Sequence, residues 1–134
     1  MSEHKLGDVR YLIDHDKHIL YAERHDVLTK DGVYAEWYAM QQLEGFDPSY
    51  ETIVDYSHVP RVDLNSSDLI ELNKEMPEHD PRTGNIAIVS GLKRGRYLLA
   101  RFFCTIANMV GSRKHQVFNT QAEAEVWLYS LRDK

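Results

Sequence analysis

The sequence predicts an α/β protein in which one mixed sheet is covered by helices. Strand-length apolar runs alternate with segments whose apolar residues recur at helical spacing. One run, IAIV at 86–89, is continuously apolar, as is typical of a strand buried on both faces. The chain has 134 residues, the length of a single domain. We therefore expect one domain over 1–134 in the order ββαβαβαβα, with about five strands and four helices, mostly on one face.

An antiparallel hairpin is predicted near the N-terminus. Strand-like runs cover 9–13 and 18–27, and the polar stretch DHDK at 14–17 separates them. A helix over 31–43 follows, because Thr29 offers an N-cap and apolar residues share one face at helical spacing. That face carries Val33, Trp37 and Met40, and Gly45 and Pro48 close the segment.

A short strand and a second helix come next. Residues 52–56, TIVDY, read as a strand, and helical spacing indicates a helix over 66–76 that Pro77 ends. The stretch 77–85 is predicted to be a loop because of its Pro, Asp and Gly content. The buried face of the helix is expected to carry Leu69, Leu72 and Met76.

The last third of the chain alternates strand and helix again. The strand IAIV leads to a long helix over 96–110, which Gly111 ends. A short strand at 116–118 precedes the last helix, where Thr120 and Glu123 have the spacing of a capping box. The buried stripe of that helix would be Ala124, Trp127, Leu128 and Leu131.

Composition narrows the function classes. A formal charge of −5 argues against a nucleic-acid binder, since phosphate contacts need clustered Lys and Arg. Cys104 is the only cysteine and lies among apolar helix residues, so we interpret it as a buried structural thiol. No run has the length of a membrane-spanning segment and no secretory h-region is present, which predicts a cytoplasmic protein. No motif of an enzyme or of a cofactor site is found, and we expect neither activity nor cofactor.

Residues 55–72, DYSHVPRVDLNSSDLIEL, resemble the signature of STAS domains, the fold of anti-sigma factor antagonists of the SpoIIAA type. In that signature a strand and an Asp-x-Ser pattern precede an apolar-Asp pair and two serines that open a helix. The matching positions are Asp55, Ser57, Val59, Val62, Asp63, Ser66, Ser67 and Leu69. The resemblance implies a regulatory module that presents this edge to a protein partner.

The C-terminal half is similar to the uncharacterised SpoIIAA-like branch of the same family. The similarity lies in YLLAR at 97–101, QVFNT at 116–120 and AEVWL at 124–128. The chain departs from the family in two ways. Leu64 and Asn65 separate the apolar-Asp pair from the serines, and Asp68 stands where the family has Gly.

The paired serines, Ser66 and Ser67, have two interpretations. As a switch, a phosphate added at the start of a helix would gain backbone N–H partners and change the partner surface. As a local structural feature, Asn65 or a serine would cap the helix, which contributes about 1 kcal/mol. Asp68 favours capping, because its charge repels an added phosphate and because it stands three residues after Asn65.

A basic loop at 91–96 is a second candidate site. It follows a buried strand and precedes a helix, where α/β folds commonly bind ligands, and its cations suit an anion. The GxxxxGK[ST] spacing of a P-loop is absent. The alternative is a solvated turn. The candidate residues for anion or ligand binding are Gly91, Lys93, Arg94, Gly95, Arg96, Tyr97 and Arg101.

The helix behind this loop is apolar over a wide arc. A first stripe consists of Leu99, Phe103, Ile106 and Val110, and a second of Leu98, Phe102 and Met109. So wide a stripe needs cover on more than one side. Burial in the core explains most of it, and the alternatives are a homodimer interface or an apolar ligand cleft in which Arg101 anchors a head group.

Seven histidines raise the question of a metal site. His15, His18 and His25 lie in or near the first hairpin, but no HExxH, HxH or CxxC spacing is present. We interpret them as surface residues and predict no metal. The aspartates considered with them are Asp14, Asp16 and Asp26.

Three functions are therefore weighed. The first is a non-catalytic regulatory module that presents the edge at 55–68 to a protein partner. The second is a carrier of an apolar or amphipathic molecule held against the helix at 96–110, with Arg94, Arg96 or Arg101 fixing an anionic group. The third is an enzyme whose basic loop binds a phosphorylated substrate.

Overall fold

A computed structural model describes residues 2–111 and 113–132 of the chain. The strands are β1 Ser2–Leu6, β2 Val9–Asp14, β3 Ile19–Arg24, β4 Leu28–Thr29, β5 Glu51–Asp55, β6 Val62–Asp63, β7 Ile86–Val89 and β8 His115–Phe118. The helices are α1 Lys30–Gln41, α2 Ser66–His79, α3 Arg94–Val110 and α4 Gln121–Arg132.

Six strands form one mixed sheet in the order β1-β2-β3-β5-β7-β8. β2 pairs antiparallel with both β1 and β3, and the pairs β3–β5, β5–β7 and β7–β8 are parallel. The mixed α/β class, the four helices and the predicted order of the main elements are confirmed. The sixth strand is β1, whose mostly polar sequence SEHKL gives no apolar alternation. The short strands β4 and β6 form a separate parallel pair that ties residues 61–63 to the start of α1.

Three helices cover one face of the sheet and one covers the other. On the first face, α1, α2 and α3 enclose a core that includes Trp37, Leu72 and Ala107. On the second face, Ala124 and Leu128 of α4 pack on the inner strands. The strand β7 is buried at every position because it lies between α3 and α4.

The helix ends follow the predicted caps with one exception. Thr29 caps α1, since its Oγ1 accepts the Gly32 N–H at 3.0 Å. Pro77 was predicted to end α2, and this is wrong, because the helix continues to His79 with Pro77 in its last turn. That turn still closes, because the Asp80 N–H donates to the Met76 carbonyl at 2.9 Å.

Among the residues that the structure describes, no helix combines the length and the apolar character needed to cross a membrane.

Candidate functional site

The predicted partner edge begins at the carboxyl end of β5. The Oδ1 atom of Asp55 accepts two hydrogen bonds from Ser57, at 2.8 Å from its N–H and at 2.6 Å from its hydroxyl. These two hydrogen bonds close a tight turn, and the second carboxylate oxygen of Asp55, Oδ2, takes no part in the turn. Val59 is buried in the helix-covered core, and Asp63 is exposed. The segment is therefore held at both its strand end and its middle.

The start of α2 is capped by Asn65 and not by a serine. Its side chain accepts the Asp68 N–H at 2.8 Å, and the Asp68 carboxylate accepts the Asn65 N–H at 3.1 Å. This is a complete capping box. Of the two capping alternatives, Asn65 or a serine, the structure shows Asn65, and both serines lie in the first turn with exposed side chains.

The basic loop lies against the Asp55 turn. Gly91 has a φ of +77°, and a Cβ there would be 3.0 Å from the Cβ of Ser57, so glycine suits this position on two grounds. The Arg96 guanidinium donates to the carbonyls of Tyr56 and Ser57, at 3.3 and 3.5 Å. The structure thus brings together two candidate sites that are some 35 residues apart in sequence. The remaining residues of the loop, Lys93, Arg94 and Gly95, are exposed.

The two apolar stripes of α3 differ in burial. Cys104 and Ala107 are buried, and Leu99, Phe103 and Ile106 are partly buried beside them. The second stripe faces outward together with Val110, and Leu98 is 49% and Met109 79% exposed. Arg101 also lies on the exposed side, whereas Tyr97 is half-buried.

A mostly apolar cavity lies between the first face of the sheet and the helices α1, α2 and α3. It offers about 80 Å³ to the centres of water-sized spheres. Apolar side chains from all three helices form most of its wall, and its polar members come from five positions. These are Tyr56, Arg82, Ser90, Arg96 and His115. The helix predicted to back a ligand cleft contributes Arg96, Leu99, Ala100 and Phe103.

Arg82 is the most unusual of these side chains, because it carries a permanent charge and is only 8% exposed. Its Nε and Nη2 bind the two carboxylate oxygens of Asp80 at 2.9 and 2.8 Å. Arg113 also donates to Asp80, at 2.6 Å. The pKa of Asp80 is lowered to about 2, because the attraction of Arg82 and Arg113 outweighs the cost of its burial. The Nη1 of Arg82 has no hydrogen-bond partner within the described residues.

His115, at the start of β8, lines the same cavity, and its side chain is 3% exposed. Its backbone is fixed by Asn108, which accepts from the His115 N–H at 2.8 Å and donates to its carbonyl at 2.9 Å. Neither ring nitrogen has a partner within the described residues. Burial, together with the positive charge of Arg113 and Arg82, lowers the pKa of His115 to about 3, so the ring is neutral at pH 7.

A second buried charge cluster adjoins the cavity through Tyr56. The Tyr56 hydroxyl donates to Glu36 Oε2 at 2.8 Å, and Arg24 Nε lies 3.7 Å from Glu36 Oε1. Burial raises the pKa of Glu36 despite the attraction of Arg24. The pKa of Tyr56 is raised for the same reason and by the charge of Glu36, which keeps its proton in place as a donor.

Other candidates have structural explanations. Burial raises the pKa of the Cys104 thiol to about 12, which leaves it un-ionised at pH 7. His15 lies 3.0 Å from the Tyr50 hydroxyl, and the His18 ring stacks on the Tyr50 ring at 4.9 Å. The two hairpin histidines thus pack against one aromatic side chain.

Sequence reasoning missed Arg82 and His115. Arg82 lies in a stretch that reads as a polar loop, and His115 precedes the short strand predicted at 116–118. A histidine directly beside an apolar strand was a weak signal of burial, and nothing in the sequence linked the two residues.

Comparison with solved structures finds similar chains, one of which is described below. No family model and no curated protein matches the chain. The chain is similar to an uncharacterized protein from the DUF3478 family, with a SpoIIAA-like fold, from Shewanella loihica PV-4. The two chains are 18% identical, the similarity covers 95% of this chain and 90% of that chain, and the TM-score is 0.49.

Proposed function

We propose that this protein is a non-catalytic binding module whose interior cavity holds a small amphipathic molecule with an anionic group. The observation that carries the proposal is the pair of unpartnered donors, Arg82 Nη1 and the neutral His115 ring, on one apolar cavity. In this arrangement the apolar wall holds the body of the ligand. Arg82 and His115 bind its anionic end.

The cost of leaving such groups unpaired supports this assignment. A buried donor without an acceptor costs about 1–3 kcal/mol, and more when it is charged. Two arginines against one aspartate also leave one positive charge in excess beside the cavity. A carboxylate would accept hydrogen bonds from both donors and neutralise that charge.

The cavity sets the size of the ligand. The cavity offers about 80 Å³ to the centres of water-sized spheres. This is room for several waters, or for a small ring or a short chain. Its half-buried lining residues, Val62, Leu64, Arg96 and Leu99, mark the side on which it approaches the surface. Arg96 is held there by the carbonyls of Tyr56 and Ser57, and its release would widen that side.

The test compares an acid with its neutral isostere. Phenylacetate should bind and raise the melting temperature, whereas phenylacetamide should bind at least tenfold more weakly. His115→Leu and Arg82→Met should each weaken phenylacetate binding about tenfold to hundredfold, because each removes a hydrogen bond to a charged group worth about 1.5–3 kcal/mol. Isothermal titration at a temperature where each variant is folded gives the dissociation constants.

His79→Gln is the matched control, because His79 is exposed at the end of α2, and it should leave the affinity unchanged. Native mass spectrometry of protein purified gently from its own host adds an independent readout, an extra non-covalent mass. Equal binding of acid and amide would contradict the anion role of Arg82. Absence of binding by either compound, together with absence of a retained mass, would contradict the cavity assignment.

A second candidate function is a regulatory contact with a protein partner through the edge at 55–68. The exposure of Asp63, Ser66 and Ser67, with Asn65 rather than a serine engaged as the cap, favours it. The exposed apolar stripe of α3 offers a further contact surface, and a homodimer through it is part of this proposal. Native mass spectra report the subunit count directly.

Substitutions at the start of α2 separate a switch from a structural feature. Ser67→Asp should abolish capture of the partner and leave the free energy of unfolding within about 0.5 kcal/mol, because the side chain is exposed. Asn65→Ala, the matched control, should lower that free energy by about 1 kcal/mol because it removes the cap. Partner capture that is unaffected by Ser67→Asp would rule out the switch.

A further inference from the structure

Two carboxylates and an imidazole converge at the carboxyl ends of β3 and β5, on residues that the proposed functions do not use as ligands. Glu23 and Asp55 are direct neighbours in the parallel pairing of these strands. His58 follows three residues after Asp55. One ligand atom from each of Glu23, Asp55 and His58 lies within 4.8 Å of the others. The sheet register places Glu23 beside Asp55, and the turn after β5 carries His58.

The orientation of Asp55 suits a ligand to a metal ion. Its Oδ1 is held by the two hydrogen bonds from Ser57, while its Oδ2 lies 3.7 Å from His58 Nε2. A tetrahedral zinc ion with bonds of about 2.0–2.2 Å separates its ligand atoms by roughly 3.3–3.6 Å, so this spacing needs little adjustment. Hydrogen bonds to the other oxygen of a ligating carboxylate are the usual way in which proteins orient it.

A second imidazole stands beside the first. The ring of His25 stacks on that of His58, with centroids 5.1 Å apart and planes 20° apart. Its Nε2 lies 2.6 Å from Glu23 Oε1. Arg10, the cross-strand neighbour of Glu23, is bound to Glu3 at 2.7 Å and so has its own partner. His25 lies outside the group of mutually close ligand atoms, so the cluster offers one nitrogen and two oxygen donors, and His25 orients the Glu23 carboxylate.

We propose that Glu23, Asp55 and His58, with a water as the fourth ligand, bind a first-row transition-metal dication such as Zn²⁺. Imidazole nitrogens suit Zn²⁺ and its neighbours in the series, whereas Mg²⁺ and Ca²⁺ prefer sites built from oxygen alone. Two carboxylates neutralise the dication. The site lies beside Tyr56 and Ser57, whose carbonyls hold Arg96 at the cavity wall.

A second group of metal-type side chains, Glu75, Glu78 and His79, provides an internal comparison. These residues belong to one turn at the end of α2, where helical spacing alone brings them together. Each group has one imidazole, but no hydrogen bond within the described residues orients the carboxylates of Glu75 and Glu78. It serves as the matched control cluster.

The test is a titration of tag-free, chelator-treated protein with ZnCl₂ by isothermal calorimetry. One equivalent should bind, and MgCl₂ should give no signal. His58→Ala should weaken zinc binding at least tenfold, whereas His79→Ala should leave it unchanged. Loss of binding in His79→Ala with retention in His58→Ala would overturn the assignment, as would the absence of zinc binding by the wild-type chain.

Two further readouts keep the proposal falsifiable if His58→Ala unfolds. Ser57→Ala removes only the hydroxyl that orients Asp55, and a positioning role of that kind should cost about tenfold in zinc affinity. Co²⁺ added in place of Zn²⁺ should give the intense visible absorption of a four-coordinate ion, and Glu23→Gln should change that spectrum. A spectrum identical in wild type and Glu23→Gln would exclude Glu23 as a ligand.

Discussion

Asp80→Asn is expected to lower the free energy of unfolding by about 3–5 kcal/mol, the usual cost of removing one partner from a buried ion pair. The Asp80 side chain is 1% exposed and accepts hydrogen bonds from Arg82 and Arg113. Asparagine keeps the shape but removes the charge, so two guanidinium groups would face each other in the interior. Chemical denaturation at pH 7 measures the change. Asp16→Asn, at an exposed turn position, is the control and should have little effect.

The same carboxylate predicts a stability loss at low pH. Its pKa is lowered from 3.8 to about 2 in the folded protein. The stabilisation is present above the unfolded pKa of 3.8 and is lost as the pH falls through about 2, where the folded state also takes up the proton. Asp80→Asn should remove this part of the pH profile. A variant as acid-sensitive as the wild type in that range would contradict the buried ion pair.

The pH window of His115 begins well above that of Asp80, so the effects of the two groups on stability can be distinguished. Its folded pKa of about 3 lies below the ordinary value of 6.5, so the unfolded state binds the proton first. Stability should therefore fall as the pH is lowered from 6.5 towards 3. His115→Gln should flatten this upper part of the profile and leave the part due to Asp80.

The main elements could be predicted because their signals are local. The hairpin follows from alternating apolar residues on either side of a polar turn, and the buried strand β7 follows from four consecutive apolar residues. The capping box at Asn65 and Asp68 was visible as a spacing of three residues. The first strand was not visible, because it is held by backbone pairing with β2 and its mostly polar residues carry no strand pattern.

The cavity could not be predicted, because its polar members are brought together only by tertiary packing. Arg82 and His115 are far apart in the sequence and belong to no motif. Both line the cavity because α3 packs on β8 and α2 packs on α3. The wide apolar arc of α3 was likewise ambiguous. The sequence alone could not distinguish its buried stripe from the exposed one with Leu98 and Met109.

Leu128→Ala is expected to lower the free energy of unfolding by about 2–5 kcal/mol. Leu128 is fully buried, and it packs with Ile19, Ile53 and Ala87 on the face of the sheet opposite the cavity. A parallel strand with apolar residues on both sides needs cover on both faces, and among the described helices α4 supplies it on this one. Truncation would leave a void that the rigid strands beneath it fill only in part.

Val126→Ala in the same helix is the matched control. Val126 is 69% exposed, so its truncation should change the free energy of unfolding by no more than about 0.5 kcal/mol. Because Leu128 is remote from the cavity lining, Leu128→Ala should also keep the affinity for phenylacetate while the protein is folded. Equal effects of the two substitutions in chemical denaturation would contradict the docking of α4 on the sheet. A selective effect of Leu128→Ala on stability, with binding retained, would place structural support and ligand binding on opposite faces of one sheet.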